Sequence, residues 1–302
     1  MVTPGARWAS VASLPMALPQ PPTVPHCYRH PDREAGRSCT RCGRPACSDC
    51  LVQATVGSHC LECAKAARPD VRTRVKYANA RLLTPATLAL VAINVAVFVW
   101  MAAADTNSLS GNVTQLHIDL GLNKGVLQGL YAPAIPGHEW YRLVTSGFVH
   151  FGIFHIAMNM LLLYQLGLLL EKAFGPGKLL AMYGASLLAG SFGVLLVDTA
   201  GITAGASGAV FGLMAGAAVG LHRRGVNVLN TGIGTTLLLN FVLTFTIRGL
   251  SIGGHLGGAV GGAICGWVML APSWKPVPKW AVWATPAAVA VVAVVGSVVA
   301  VG

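Results

Sequence analysis

Two apolar stretches share one glycine rhythm, and each begins beside a side chain able to do chemistry. The first reads Gly205-Ala206-Ser207-Gly208 and then places Gly212, Gly216 and Gly220. The second reads Gly253-Gly254-His255 and then places Gly258, Gly262 and Gly266. A glycine at every fourth position lays a smooth stripe along one helix face, so two such helices can approach at backbone distance. Serine becomes a nucleophile when a base takes its proton, and histidine is the usual base. Ser207 and His255 are therefore a candidate pair. Neither stretch contains Asp or Glu, so a two-residue dyad is the economical reading. Acyl transfer also needs donors for a tetrahedral oxyanion. His155 and Asn159 stand four residues apart and share one helix face. His150 lies further out along the same segment. The N–H of Ser207, at a helix N-terminus, is another donor.

The elements that must position these groups are membrane helices. The 302 residues are 54% hydrophobic and only 10% charged, too apolar for an ordinary soluble domain. Seven apolar stretches are expected to form helices, at 84–103, 147–170, 177–197, 204–221, 228–247, 250–271 and 280–301. Basic residues set their orientation. With the N-terminal side inside, the inner segments carry the 67–83 linker, Lys172, Lys178, Arg223, Arg224, Lys275 and Lys279. The outer segments carry Lys124, Arg142 and Arg248 but also Asp105, Asp119, Glu139 and Asp198. The expectation is an integral multi-pass protein of the plasma membrane, N-terminus cytoplasmic and C-terminus extracytoplasmic. Helices four and six then run parallel, with Ser207 and His255 on the order of 5–10 Å below the outer surface. The long segment 104–146 contains Trp140, Tyr141 and Arg142, a cluster suited to the membrane interface. The fifth helix, with Asn227, Asn230, Gly232 and Gly234 near its inner end, is a candidate gate.

Seven of the eight cysteines fall between Cys27 and Cys63. Cys27 and His30, Cys39 and Cys42, Cys47 and Cys50, and Cys60 and Cys63 form four two-ligand knuckles. Eight such ligands make two tetrahedral zinc sites without an open position, so both Zn2+ ions are read as structural. The ligands can pair sequentially or in an interleaved way, and His59 beside Cys60 is an alternative ligand. Cytoplasmic placement fits thiolate ligation rather than disulfides. The eighth, Cys265, reads as a small buried hydrophobe. The chain thus divides into a disordered Pro/Ala-rich tail (1–25), a zinc-binding module (26–66), a basic juxtamembrane linker (67–83) and a transmembrane domain (84–302). The net charge of +11 lies mostly before residue 84 and lacks basic runs interleaved with aromatics, which argues against nucleic acid as a partner.

Three motifs in order resemble the rhomboid family of intramembrane serine proteases. They are the run from Trp140-Tyr141-Arg142 through His150 to His155 and Asn159, the Gly205-Ala206-Ser207-Gly208 segment, and Gly254-His255 with Gly258. The resemblance covers 84–302 and implies an all-α polytopic fold, with a six-helix core and an extra seventh C-terminal helix. It implies that Ser207 attacks the substrate carbonyl and that His255 is general base and then acid. It implies an oxyanion hole of His155, Asn159 and the Ser207 N–H, with Gly205 among the supporting residues. It implies that His150 supports that region and binds or gates water. Phe211 stands where the family often has an aromatic, frequently tyrosine, packed on the histidine. The implied substrates are single-pass membrane proteins, cut in or near the lipid bilayer. The cysteine-rich module resembles a B-box-type zinc finger, which implies interleaved pairing and a protein partner. Two rival readings are an inactive rhomboid-like scaffold that binds membrane helices, and a transporter. Retention of Ser207 and His255 argues against the first, and the lack of acids within the expected spans against the second.

Overall fold

The computed structural model describes residues 24–54, 56–68, 70–73, 84–130, 138–197, 201–247 and 249–302. The expected tail lies outside the described residues except for positions 24 and 25, as does most of the basic linker, including Arg74, Lys76 and Arg81. Asp198 and Arg248 lie outside them too. The chain separates into two compact units, Met1–Ala80 and Arg81–Gly302.

The first unit is built from short elements. Strand β1 (Arg37–Ser38) pairs antiparallel with β2 (Pro45–Ala46), with Arg37 opposite Ala46. Strand β3 (Leu51–Gln53) pairs antiparallel with β4 (Ser58–Cys60), with Leu51 opposite Cys60. Helix α1 (Leu61–Ala66) follows. The small core consists of Cys27, Ala46, Cys47 and Cys50, with Tyr28 and Leu51 packed on it. Thiols make up most of this core, so apolar burial alone gives little stability.

The second unit is helical and forms an integral membrane protein. Among the described residues, five helices are long and apolar enough to cross a membrane. They are α2 (Pro85–Ala104), α6 (Gly152–Phe174), α7 (Pro176–Val197), α10 (Ile252–Met269) and α11 (Lys279–Val301). Two expected spans are shorter apolar helices, α8 (Ser207–His222) and α9 (Gly232–Thr246). Between α2 and α6 the long segment folds into α3 (Gln115–Leu120), α4 (Lys124–Leu127) and α5 (Arg142–Thr145). Helix α6 starts five residues later than expected, at Gly152 with φ 81°, a conformation open to glycine. It also runs on to Phe174.

That extension corrects one expectation. Glu171 lies inside α6 and is buried, so an acid does sit within a span. It accepts from the N–H of Ala86 at 3.0 Å, the N–H of Thr87 at 2.8 Å and the Thr87 hydroxyl at 2.7 Å. These N–H groups belong to the first turn of α2, where intrahelical acceptors are lacking. Glu171 is a helix cap supplied by another helix, and its charge faces the positive end of the α2 dipole. A second correction concerns Arg142, expected at the membrane interface but 1% exposed. Its guanidinium donates to the carbonyls of Ile118 and Gly121 and to Glu139, tying α5 to α3. Trp140 packs against the apolar cluster that Leu122, Leu127, Leu143, Val194, Leu195 and Val301 form.

The glycine stripes face each other in register. A Cβ built on Gly258 would overlap Gly208, one on Gly262 would overlap Gly212, and one on Gly266 would overlap Gly216. Residue numbers rise together along both stripes, so α8 and α10 are parallel, as the charge pattern requires. Helix α10 has a second close neighbour that the sequence reading did not single out. Gly253 abuts the Gly193 carbonyl of α7, and Gly257 abuts the Ala189 carbonyl. With small residues on two faces, α10 is wedged between α7 and α8 at backbone distance.

Candidate active site

Ser207 is the first residue of α8. The chain enters it through Gly205, whose φ of 135° is rarely adopted by other residues. The Gly205 N–H is held by the Ser146 carbonyl at 2.8 Å. A side chain at 205 has no room: a Cβ there would lie 2.8 Å from His155 Cε1, 2.9 Å from His155 Nε2 and 3.7 Å from Ser207 Oγ. The His155 ring and the Ser207 hydroxyl therefore border one small space, kept open by the missing side chain.

His255 is the fourth residue of α10, and it is buried. Its Nε2 lies 2.8 Å from Ser207 Oγ, within ordinary hydrogen-bond distance. Phe211, one turn after Ser207, stacks on the imidazole with centroids 4.2 Å apart and planes 12° apart. Phe241 of α9 meets Phe211 edge-on at 5.2 Å. Ser207 and His255 face one another because the stripes hold their helices at backbone contact.

The remaining candidates surround this pair. His155 Nδ1 accepts from the Phe151 N–H at 3.2 Å, which leaves a neutral ring with its proton on Nε2, on the side facing Gly205 and Ser207. Asn159 is buried and donates one N–H to the His155 carbonyl at 2.9 Å, so one further N–H remains. His150, fully buried, has Nδ1 3.2 Å from the Phe148 carbonyl and Nε2 3.4 Å from the Ala206 N–H. A carbonyl only accepts, so Nδ1 donates and Nε2 accepts from the Ala206 N–H. His150 thereby braces the residue before Ser207. Beside Ser207 lies a cavity of about 30 Å³, lined among others by Ser146, Ser191, Thr203 and Ser251.

Two participants escaped the sequence reading. His117 Nε2 donates to the His150 carbonyl at 3.1 Å, while its Nδ1 accepts from Thr114. Burial holds the His117 imidazole below its ordinary pKa, consistent with that neutral form. Phe151 stacks on His117 with centroids 4.5 Å apart. Thr244 of α9 lies against the far nitrogen of His255. Neither belongs to a motif, and their roles come from segments far apart in sequence.

The first unit holds two groups of metal-ligating atoms, each group within 4.8 Å. One is Cys27, His30, Cys47 and Cys50, and the other is Cys39, Cys42, Cys60 and Cys63. This is the interleaved pairing, and His59 belongs to neither group. Around His30 Nδ1 the three sulfurs lie at 3.9, 3.5 and 3.4 Å. Cys42 and Cys60 sulfurs are 3.7 Å apart, and the cysteines are free thiols. A tetrahedron with metal–sulfur bonds of about 2.3 Å has edges of about 3.8 Å, so both donor sets can hold a metal ion.

With this geometry in hand, the likeness to known proteins is informative. Residues 137–272 match the family model described as Rhomboid domain. The chain is 32% identical over 119 residues to "Rhomboid protease GluP" of Bacillus subtilis (strain 168), covering 38% of this chain and 23% of that protein. It is 44% identical over 77 residues to "RHOMBOID-like protein 1" of Arabidopsis thaliana, covering 26% and 20%. It is 33% identical over 115 residues to "Inactive RHOMBOID-like protein 8" of the same plant, covering 36% and 32%. The matched segments thus span a third or less of these relatives. Over residues 137–272 the helical unit is thus similar to the rhomboid domain, and the similar proteins include one named a protease and one named inactive.

Proposed function

We propose that this protein is an intramembrane serine endopeptidase that cuts membrane-protein substrates by a Ser207–His255 dyad. The observation that carries the reading is the 2.8 Å approach of His255 Nε2 to Ser207 Oγ. His255 takes the hydroxyl proton as Ser207 attacks the scissile carbonyl, and then gives that proton to the leaving amine. The oxyanion receives the Nε2–H of His155, the second N–H of Asn159 and the backbone N–H of Ser207, which sits in a helical first turn short of acceptors. Gly205 keeps that space open, His150 fixes the approach to Ser207, and Phe211 holds the imidazole plane. Water attacks the acyl-enzyme in the second half of the reaction, and the polar cavity beside Ser207 has room for about one or two water molecules.

The substrates on this reading are single-pass membrane proteins. Among the described residues of α9 only Gly234 and Thr244 are buried, so it is the helix most easily displaced to admit one. The chain spans the plasma membrane with its N-terminus cytoplasmic and its C-terminus extracytoplasmic, and its domains are bounded at 1–25, 26–66, 67–83 and 84–302. The module at 26–66 is a B-box-like finger holding two structural zinc ions through Cys27, His30, Cys47 and Cys50, and through Cys39, Cys42, Cys60 and Cys63. Its role is to bind a protein partner.

The second reading is an inactive helix-binding scaffold, favoured only by the likeness to a relative named inactive. The test uses a serine-reactive fluorophosphonate and a reporter membrane helix. Labelling and cleavage are expected in the parent and absent in Ser207→Ala and His255→Ala. Cleavage that persists in Ser207→Ala would remove the mechanism, and a folded parent that neither labels nor cleaves would favour the scaffold.

A further inference from the structure

A serine–histidine pair works in only one tautomer: the proton must sit on Nδ1, with the Nε2 lone pair facing the hydroxyl. Neither α8 nor α10 contains a carboxylate to select that form. Helix α9 supplies another partner. Thr244 Oγ1 lies 2.7 Å from His255 Nδ1, in a side chain that is 2% exposed. The same oxygen lies 2.8 Å from the carbonyl oxygen of Asn240. A hydroxyl has one proton to give, and a carbonyl can only accept. When the Thr244 proton goes to Asn240, its lone pair faces Nδ1 and calls for a proton there. Nε2 is then the acceptor turned toward Ser207. In the reverse arrangement Thr244 donates to Nδ1, the ring proton moves to Nε2, and Ser207 has no base.

We propose that Thr244 is the positioning residue that selects the productive tautomer of His255, so that the dyad has a neutral third member contributed by a different helix. This rests on the serine-peptidase reading above. Phe211 cannot replace Thr244, because stacking fixes the plane of the ring without bonding either nitrogen. Thr244 itself gains no proton: the one removed from Ser207 stays on Nε2 until it passes to the leaving amine. A hydroxyl backed by a helix carbonyl orients the ring without placing a charge in an apolar bundle, where charge is costly. One consequence concerns α9. One of its two buried points, among the described residues, is this contact with the base, so the base is set correctly only when α9 is seated.

The test compares the purified full chain with Thr244→Val, which keeps the shape and loses the hydroxyl, and Thr244→Ser, which restores it. On a reporter membrane helix, kcat is expected to fall about 10-fold to 100-fold in the valine variant, with KM changed less than about twofold. The serine variant should recover to within about threefold of the parent. Nitrogen-15 NMR of labelled histidine, without substrate, reads the tautomer directly. His255 should carry its proton on Nδ1 in the parent and the serine variant, and should lose that preference in the valine variant. Parental kcat in Thr244→Val, or a proton on Nε2 in the parent, would overturn the proposal. The parent spectrum needs no variant to fold. Failure of the peptidase reading would show instead as cleavage surviving Ser207→Ala.

Discussion

Substituting Gly258 with alanine tests whether helix separation sets the chemistry. A Cβ at 258 would lie 2.6 Å from the carbonyl carbon and 3.0 Å from the Cα of Gly208, and would overlap its carbonyl oxygen. Carbon pairs rest at about 3.5–4.0 Å, so α8 and α10 must part locally by about 1 Å. Gly208 adjoins Ser207, and Gly258 is one turn from His255. A shift of that size lengthens the 2.8 Å contact between His255 and Ser207 beyond hydrogen-bond distance. A misplacement of about 1 Å costs on the order of 100-fold in rate, or about 2.7 kcal/mol in the transition state. Overpacking adds about 1–3 kcal/mol of destabilisation. The assay is kcat on a reporter membrane helix, read beside thermal unfolding. Gly184→Ala on α7 is the control, since nothing lies within 4 Å of a Cβ there. It should leave kcat unchanged. Parental kcat in a folded Gly258→Ala protein would refute the claim that backbone contact between the stripes positions the dyad.

Two further outcomes are expected. Glu171→Gln keeps the shape but turns an amide toward donors of α2; losing charge-assisted bonds should cost about 1.5–3 kcal/mol. An unchanged melting temperature would remove the cap. Elemental analysis of the full chain should find two zinc ions, and Cys50→Ser with chelation should make the first unit protease-sensitive. A metal-free unit that resists protease would contradict the metal reading.

Much of the site was legible because it is local. Gly205, Ser207 and Gly208 lie within four residues, and the glycine period declares a close helix contact wherever the helices meet. Paired cysteines likewise declare their chemistry before folding, since each knuckle is a local turn. Helices α6 and α8 start a few residues after the expected 147 and 204 for a local reason too: Gly152 and Gly205 at positive φ start their helices later than hydropathy suggests. Other features depend on pairings between distant segments. Glu171 reads as an inner flank until α2 lies over it. Arg142 reads as an interface anchor until the carbonyls of α3 surround it. Ala189 and Gly193 of α7, which meet α10, carry no polar marker, so nothing in their order singled them out.

The sequence by itself marked the membrane class, the shared stripe of two helices, the residue types able to hold a metal and a candidate serine–histidine pair. Those follow from composition, charge asymmetry and short-range spacing, which need no knowledge of neighbours. Tertiary structure decided the interleaved grouping of cysteines, the separation of Ser207 from His255, and the arrival of Thr244 on the second nitrogen of His255. Those are distances between residues 11 to 48 apart, and only packing fixes which distant groups meet.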